Sequence, residues 1–228
     1  MNVLCIGNSF SANSSKYLNA ICPDITVVNL YIGGCSLERH FRNMHSGNRA
    51  YVLQVNGVST DFFVSLDEGL LNRPWDYISF QQASPFSPKY ETFEPYLSEL
   101  SDYARVLCPK AKQVIHETWA YEDGSERLNT LMGYSTHAEM YADIATAYEK
   151  AVESIGASLK IPSGKLFSRL VEKGLKVHLD TFHANKVGEY ALGLMWYKTL
   201  TGKPASEVEF TVTDEETTAL IKEIVDSL

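Results

Sequence analysis

Short, wholly apolar runs alternate along this chain with longer stretches in which apolar residues recur every three or four positions. The first run is Val3-Leu4-Cys5-Ile6, closed by Gly7. It is too short for a helix and reads as a strand buried on both faces of a parallel sheet. Ile25–Tyr31, Tyr77–Gln81, Gln113–Thr118 and Ser158–Ile161 read in the same way, so about five core strands are expected. Helical spacing marks Ser11–Ile21, Leu37–Met44, Asp67–Leu71, Tyr90–Leu107, His137–Gly156, Lys165–Lys173, Ala184–Leu200 and Asp214–Leu228. One stretch breaks the alternation. Tyr51–Val55, then Asn56-Gly57, then Ser59–Ser65 predicts a β-hairpin, because Asn-Gly suits the tight turn that joins two antiparallel strands. A hairpin inserted in such a domain is a candidate wall or lid over a site.

Strands alternating with helices predict a three-layer α/β/α sandwich, with helices on both faces of a mostly parallel sheet. With 228 residues the chain is long enough for one such domain, residues 1–228, and no internal repeat divides it. Strand order is not written in the pattern.

The first strand delivers Gly7-Asn8-Ser9-Phe10-Ser11 to the carboxyl edge of the sheet, where open α/β sheets bind their ligands. Two readings of Ser9 follow. It caps the next helix, as serine does well, or it is a nucleophile beside free backbone N–H groups. Far along the chain, Asp180-Thr181-Phe182-His183 puts an acid three residues before a histidine. One rigid loop then supplies both the base and the group that orients it. His178 lacks this spacing and is the weaker base, and His116, inside a strand, reads as a core histidine.

Together these segments resemble the SGNH (GDSL-like) hydrolase superfamily over roughly residues 1–202. Gly7-Asn8-Ser9-Phe10-Ser11 is similar to its first block, which implies Ser9 as nucleophile. Gly33-Gly34-Cys35-Ser36 is similar to the second, implying a glycine N–H, that of Gly34 in preference to Gly33, in the oxyanion hole beside that of Ser9. Asp180 and His183 match the last block and complete a Ser-His-Asp triad. The third block departs: where the family has Gly-x-Asn-Asp, this chain has Gln81-Gln82-Ala83-Ser84. A glutamine amide can donate to the oxyanion as the asparagine does, and sialate O-acetylesterase-like branches have one there. Whether Gln81 or Gln82 does so is open. Trp-Asp-Tyr at 75–77 and Thr-Trp-Ala-Tyr at 118–121 resemble a bacterial branch of the superfamily. The resemblance implies a flavodoxin-like strand order and a serine esterase acting on an ester of a carbohydrate or similar small molecule, with O-acetyl groups foremost. It requires no metal and no cofactor. A non-catalytic carbohydrate-binding protein on the same fold is the alternative.

Composition narrows the partners. A net charge of −8 argues against non-specific binding to nucleic acid or anionic membranes, which need basic patches. Cys5, Cys22, Cys35 and Cys108 are widely spaced, neither a zinc pattern nor a disulfide framework, and fit a cytoplasmic protein with reduced thiols. No apolar run spans a bilayer, and no signal peptide is expected at the amino terminus. Trp119 and Tyr121, at a strand's carboxyl end, read either as a platform for a sugar or acyl group or as packed rim aromatics. Arg39, His40, Arg42 and His45 read as a solvated helix face. The polar stretch 124–136 is expected as a loop near the site.

Overall fold

The computed structural model describes residues 1–228. In chain order its elements are β1 (Asn2–Gly7), α1 (Ser9–Ser15), α2 (Leu18–Ile21), β2 (Thr26–Tyr31), α3 (Leu37–Ser46), β3 (Tyr51–Val55), β4 (Val58–Val64) and α4 (Leu66–Leu70). There follow β5 (Tyr77–Phe80), α5 (Tyr96–Leu107), β6 (Lys112–Glu117), α6 (His137–Ile155), β7 (Leu159–Pro162), α7 (Ser163–Glu172), α8 (Lys186–Thr201) and α9 (Glu215–Ser227).

All strands join one seven-stranded sheet in the order β4-β3-β2-β1-β5-β6-β7. The five apolar runs are its parallel strands, and their order is the flavodoxin-like one. β1, at the centre, is buried from Val3 to Gly7 because it is covered on both faces. Helices α1, α2, α8 and α9 pack together as one layer, and α3, α4, α5 and α6 as the other. The hydrophobic core runs through both interfaces and includes Leu4, Ile6, Phe80, Ile115, Tyr148, Leu192 and Trp196.

The hairpin is present, with Asn56 and Gly57 both at positive φ, as the tight turn demands. It is neither wall nor lid. β3 pairs antiparallel with β2 and β4 pairs with β3, so the hairpin brings the sheet to seven strands by widening its edge. Two helices also differ from the apolar pattern. Ser11–Ile21 is broken between α1 and α2, where the hairpin turn packs so closely that a Cβ on Gly57 would lie 2.8 Å from the Lys16 carbonyl oxygen. Tyr90–Leu107 is a 3₁₀ turn at Tyr90–Thr92 followed by α5. Pro95, which has no N–H to give to a helix interior, stands at the N-cap. No helix is long and apolar enough to cross a membrane.

Candidate active site

The site is built where β1, β2, β5 and β6 release the chain at the carboxyl edge of the sheet. Gly7 lets α1 start immediately after β1: a Cβ there would collide with Ser11 Oγ and lie 2.7 Å from Ser11 Cβ. Asn8 caps α1, its Oδ1 accepting from the Phe10 N–H at 2.9 Å, so Ser9 is the first helical residue. The cap role considered for Ser9 therefore belongs to Asn8. The Asn8 Nδ2 donates to the Cys35 carbonyl at 3.0 Å and ties the loop after β2 to the turn after β1. Gly34, in that loop, takes a φ of +61° that favours glycine.

The loop 179–184 brings His183 to Ser9. The His183 N–H donates to Asp180 Oδ1 at 2.9 Å, and its ring Nδ1 lies 2.8 Å from Asp180 Oδ2. A ring held this way carries its proton on Nδ1 and leaves Nε2 as an acceptor. Ser9 Oγ lies 2.9 Å from that Nε2. The loop is anchored through three of its own backbone groups: Trp119 Nε1–H donates to the Phe182 carbonyl at 2.8 Å, Glu122 N–H to the Thr181 carbonyl at 2.8 Å, and Ala184 N–H to Asn13 Oδ1 at 3.3 Å. Partial burial alone would raise the Asp180 carboxyl. Hydrogen bonds from the His183 ring and from the His183 and Phe182 N–H groups outweigh it and hold the carboxyl below its ordinary value.

A cavity of about 320 Å³ opens over these groups, lined by Ser9, Gly34, Ser84, Phe86, Arg127, Phe182 and His183 among others. The backbone N–H groups of Ser9 and Gly34 have no acceptor within the protein. A larger hollow of about 580 Å³, around Pro74, Trp75 and Leu107, lies at the opposite, amino edge of the sheet and contains none of these groups.

Four expectations about the site are corrected. Neither glutamine lines the cavity, and both amides are spent elsewhere. Gln81 Nε2 donates to Asn8 Oδ1 at 2.7 Å, while its Oε1 lies 2.7 Å from His116 Nδ1. Gln82 Nε2 donates to the Thr92 carbonyl at 2.8 Å and to Thr92 Oγ1 at 3.2 Å, and its Oε1 accepts from the Leu37 and Ala83 N–H groups. Ser84, two residues on, takes the wall position instead. Trp119 and Tyr121 are 0% exposed, so neither is a platform for substrate. Trp119 stacks between Phe10 and Phe167, and the Tyr121 hydroxyl bonds to Ser84 Oγ at 2.8 Å.

His116, His178 and His40 serve the fold rather than the site. His116 is the expected core histidine, and burial lowers it to about 3, so its ring is neutral. It accepts at Nε2 from Ser14 or Ser163. His178 bonds through Nε2 to the Ala120 carbonyl, away from Ser9, and burial lowers it to about 4. His40 is not on a solvated face: it is buried against Tyr51, which lowers it to about 3. Burial likewise pushes the nearby Cys35 thiol up to about 12, far from a thiolate nucleophile.

Arg127 and Phe182, with Tyr31 and Phe86, are cavity residues that sequence reasoning missed. Phe182 lay inside the Asp-x-x-His segment with no periodicity to mark it. Arg127 lay in the polar stretch 124–136, which is not a plain loop: it contains a π-helical turn, Arg127–Leu131, that pivots on the buried Leu128. No group of three or more His, Cys, Asp or Glu side chains is placed to hold a metal ion.

Comparison with known proteins places the fold. The crystal structure of a DUF4886 family protein from Bacteroides uniformis ATCC 8492 matches with a TM-score of 0.93 at 28% identity, over 100% of this chain and 93% of that one. A proposed SGNH hydrolase from Slackia heliotrinireducens matches at 0.65 and 23% identity, over 88% and 98%. A family 3 carbohydrate esterase of Clostridium thermocellum matches at 0.51 and 9% identity, over 89% and 96%. No curated protein matches the chain. Residues 2–221 match the family described as Domain of unknown function (DUF4886). The chain belongs to that family, and its fold is the one shared by the SGNH/GDSL-like hydrolases.

Proposed function

We propose that this protein is a serine esterase that removes a small acyl group, foremost acetyl, from a carbohydrate or similar small alcohol. The observation that carries this reading is the continuous hydrogen-bonded chain from Ser9 Oγ through the His183 ring to Asp180, beside two backbone N–H groups that have no other acceptor. Ser9 Oγ attacks the ester carbonyl carbon and passes its proton to His183 Nε2, while Asp180 holds the ring and stabilises the imidazolium. The Ser9 and Gly34 N–H groups take the negative charge that develops on the carbonyl oxygen. Collapse of the tetrahedral intermediate expels the alcohol with the proton from His183 and leaves Ser9 acylated. Water then attacks the acyl carbon, giving a proton to His183, and the acid leaves as Ser9 recovers its hydrogen.

A cavity of about 320 Å³, walled by Phe10, Tyr31, Phe86 and Phe182, favours a short acyl chain. The likeness in fold to a carbohydrate esterase is in keeping with a sugar as the alcohol. The test is hydrolysis of p-nitrophenyl esters from acetate to octanoate by wild type and Ser9→Ala, followed by acetylated sugars. Serine-dependent turnover that fades with chain length supports the proposal, and equal turnover by both proteins overturns it.

One observation favours the second reading, a non-catalytic carbohydrate-binding protein. With both glutamine amides committed elsewhere, no Gln side chain reaches the oxyanion position. On that reading neither protein turns over any ester, and both bind glycans equally.

A further inference from the structure

The cavity wall carries one permanent cation and no carboxylate. Its lining includes Arg127 but neither Asp nor Glu, in a chain whose acidic residues outnumber Lys and Arg by 28 to 20. Arg42, Arg49, Arg105 and Arg169 are each ion-paired within the protein; Arg39, Arg73 and Arg127 have no acid within 4.0 Å, and of these three Arg127 alone lines the cavity. Its guanidinium carbon sits over the Phe182 ring at 4.0 Å from the centroid, and 5.7 Å from that of Tyr121. The Phe182 ring is in turn 3.8 Å from the His183 ring. The cation therefore stands one aromatic ring away from the proposed base, on the same cavity.

Its mounting is rigid. The π turn that bears Arg127 is closed by Met132 N–H to the Arg127 carbonyl at 3.1 Å and Tyr134 N–H to the Leu128 carbonyl at 3.1 Å. Asn129 Nδ2 adds bonds to the carbonyls of Tyr134 and Ser135. A guanidinium over an aromatic face keeps N–H donors free beyond the one it offers the Tyr121 hydroxyl, and such donors match a carboxylate in a two-bond fork. The stacking settles the cation without neutralising it. Nothing in the protein supplies the counter-charge, so the substrate is the natural source.

We infer that Arg127 is a specificity-determining residue that binds a carboxylate on the substrate, so that the preferred ester carries an acidic group on its alcohol or its acyl half. This rests on the esterase reading for the reaction, though not for the binding. The preference is short-ranged, since the net charge of −8 gives no long-range attraction to anions. It weakens as salt is added.

The test compares matched esters: 3-acetoxybenzoate against 3-acetoxybenzamide, with the charge on the alcohol half, and mono-p-nitrophenyl glutarate against p-nitrophenyl pentanoate, with the charge on the acyl half. Wild type should favour the charged member of one pair at least tenfold in kcat/KM, mainly through KM. Arg127→Gln should bring that ratio near one, and Arg127→Lys, which keeps the charge without the fork, should restore part of it. The pair that shows the preference identifies the half of the ester that carries the carboxylate. Equal rates within both pairs, or a preference that survives Arg127→Gln, overturn the role of Arg127 and leave the esterase standing. If no ester is turned over, calorimetry of both pairs with Ser9→Ala decides the matter alone. Tenfold weaker binding of the anion in Ser9→Ala/Arg127→Gln supports the inference, and equal or absent binding overturns it. Thermal unfolding of each variant verifies that it is folded.

Discussion

The side-chain amide of Gln81 donates to Asn8 Oδ1 at 2.7 Å, and that bond joins β5 to the turn that presents Ser9. Through its Oε1, Gln81 passes the connection on to His116 in β6, and through Nδ2, Asn8 passes it to Cys35 after β2. Four strand ends are thus held in register beneath the site by one buried polar chain, fully paired at the atoms that build it. Gln81 is a positioning residue in this arrangement, not an oxyanion donor.

Gln81→Leu is accordingly expected to cost about 1–3 kcal/mol of stability, because it leaves the His116 N–H buried without an acceptor. Turnover should fall by less than the roughly 10²–10³-fold seen when an oxyanion donor is removed. Urea unfolding beside ester kinetics checks both. A loss of that larger size with unchanged stability would show that the amide serves the oxyanion directly.

Trp119 supports the histidine loop from below, through its bond to the Phe182 carbonyl and its stack on Phe10. Trp119→Ala should destabilise the protein by about 3–5 kcal/mol, as large-to-small changes at packed aromatics do. Trp119→Phe should keep most of the packing, lower kcat by loosening His183, and leave KM near wild type. A KM rise specific to sugar esters would instead make the indole part of the binding surface.

Asp180→Asn should remove the group that selects the His183 tautomer and lower kcat by about 10⁴-fold. Since the Asp180 side chain is 47% exposed, its loss should change stability little. Denaturation midpoints and kcat measured on the same preparation separate the two effects.

Stability should fall on acidification. His40 and His116 are lowered to about 3 and His178 to about 4 in the folded protein, against 6.5 for the free side chain. Between those values the unfolded chain binds more protons, so stability is fully present above about pH 6.5 and is lost as pH falls toward 4. The melting temperature followed from pH 7.5 to 4.5 should show this slope. Burial lowers His137 as well, and His40→Phe, which removes one of these four groups, should make the slope shallower.

What the residue pattern reveals and what it conceals divide along physical lines. Strand runs such as Val3–Ile6 and helical spacings such as that of α6 are local, and the turn at Asn56-Gly57 is chosen by two residues, so these features were legible. Asp180 and His183 share one turn, and Ser9 follows β1 directly, so their candidacy could be read from short segments. Where the hairpin docks depends on which strand of the sheet has an open edge, and no residue of 51–65 records that. The direction of a side chain in a loop is equally non-local. Gln81 and Gln82 are adjacent, yet one turns to Asn8 and the other to Thr92, and Trp119 and Tyr121 turn into the core because Phe10, Phe167 and Ser84 wait there. Arg127 was hidden for the same reason: only the folded chain sets Phe182 beneath it.

The central claim is that Ser9 is acylated. Its most direct measurement is the intact mass of the protein quenched in acid during turnover of p-nitrophenyl acetate, with peptide mapping of the product. The account predicts one added acetyl group on Ser9 in Asp180→Asn, where slow deacylation lets the acyl-enzyme accumulate, and none at that position when Ser9→Ala is combined with it. Turnover by Ser9→Ala at the wild-type rate, or an acetyl group carried on another residue with Ser9 unmodified, would contradict it.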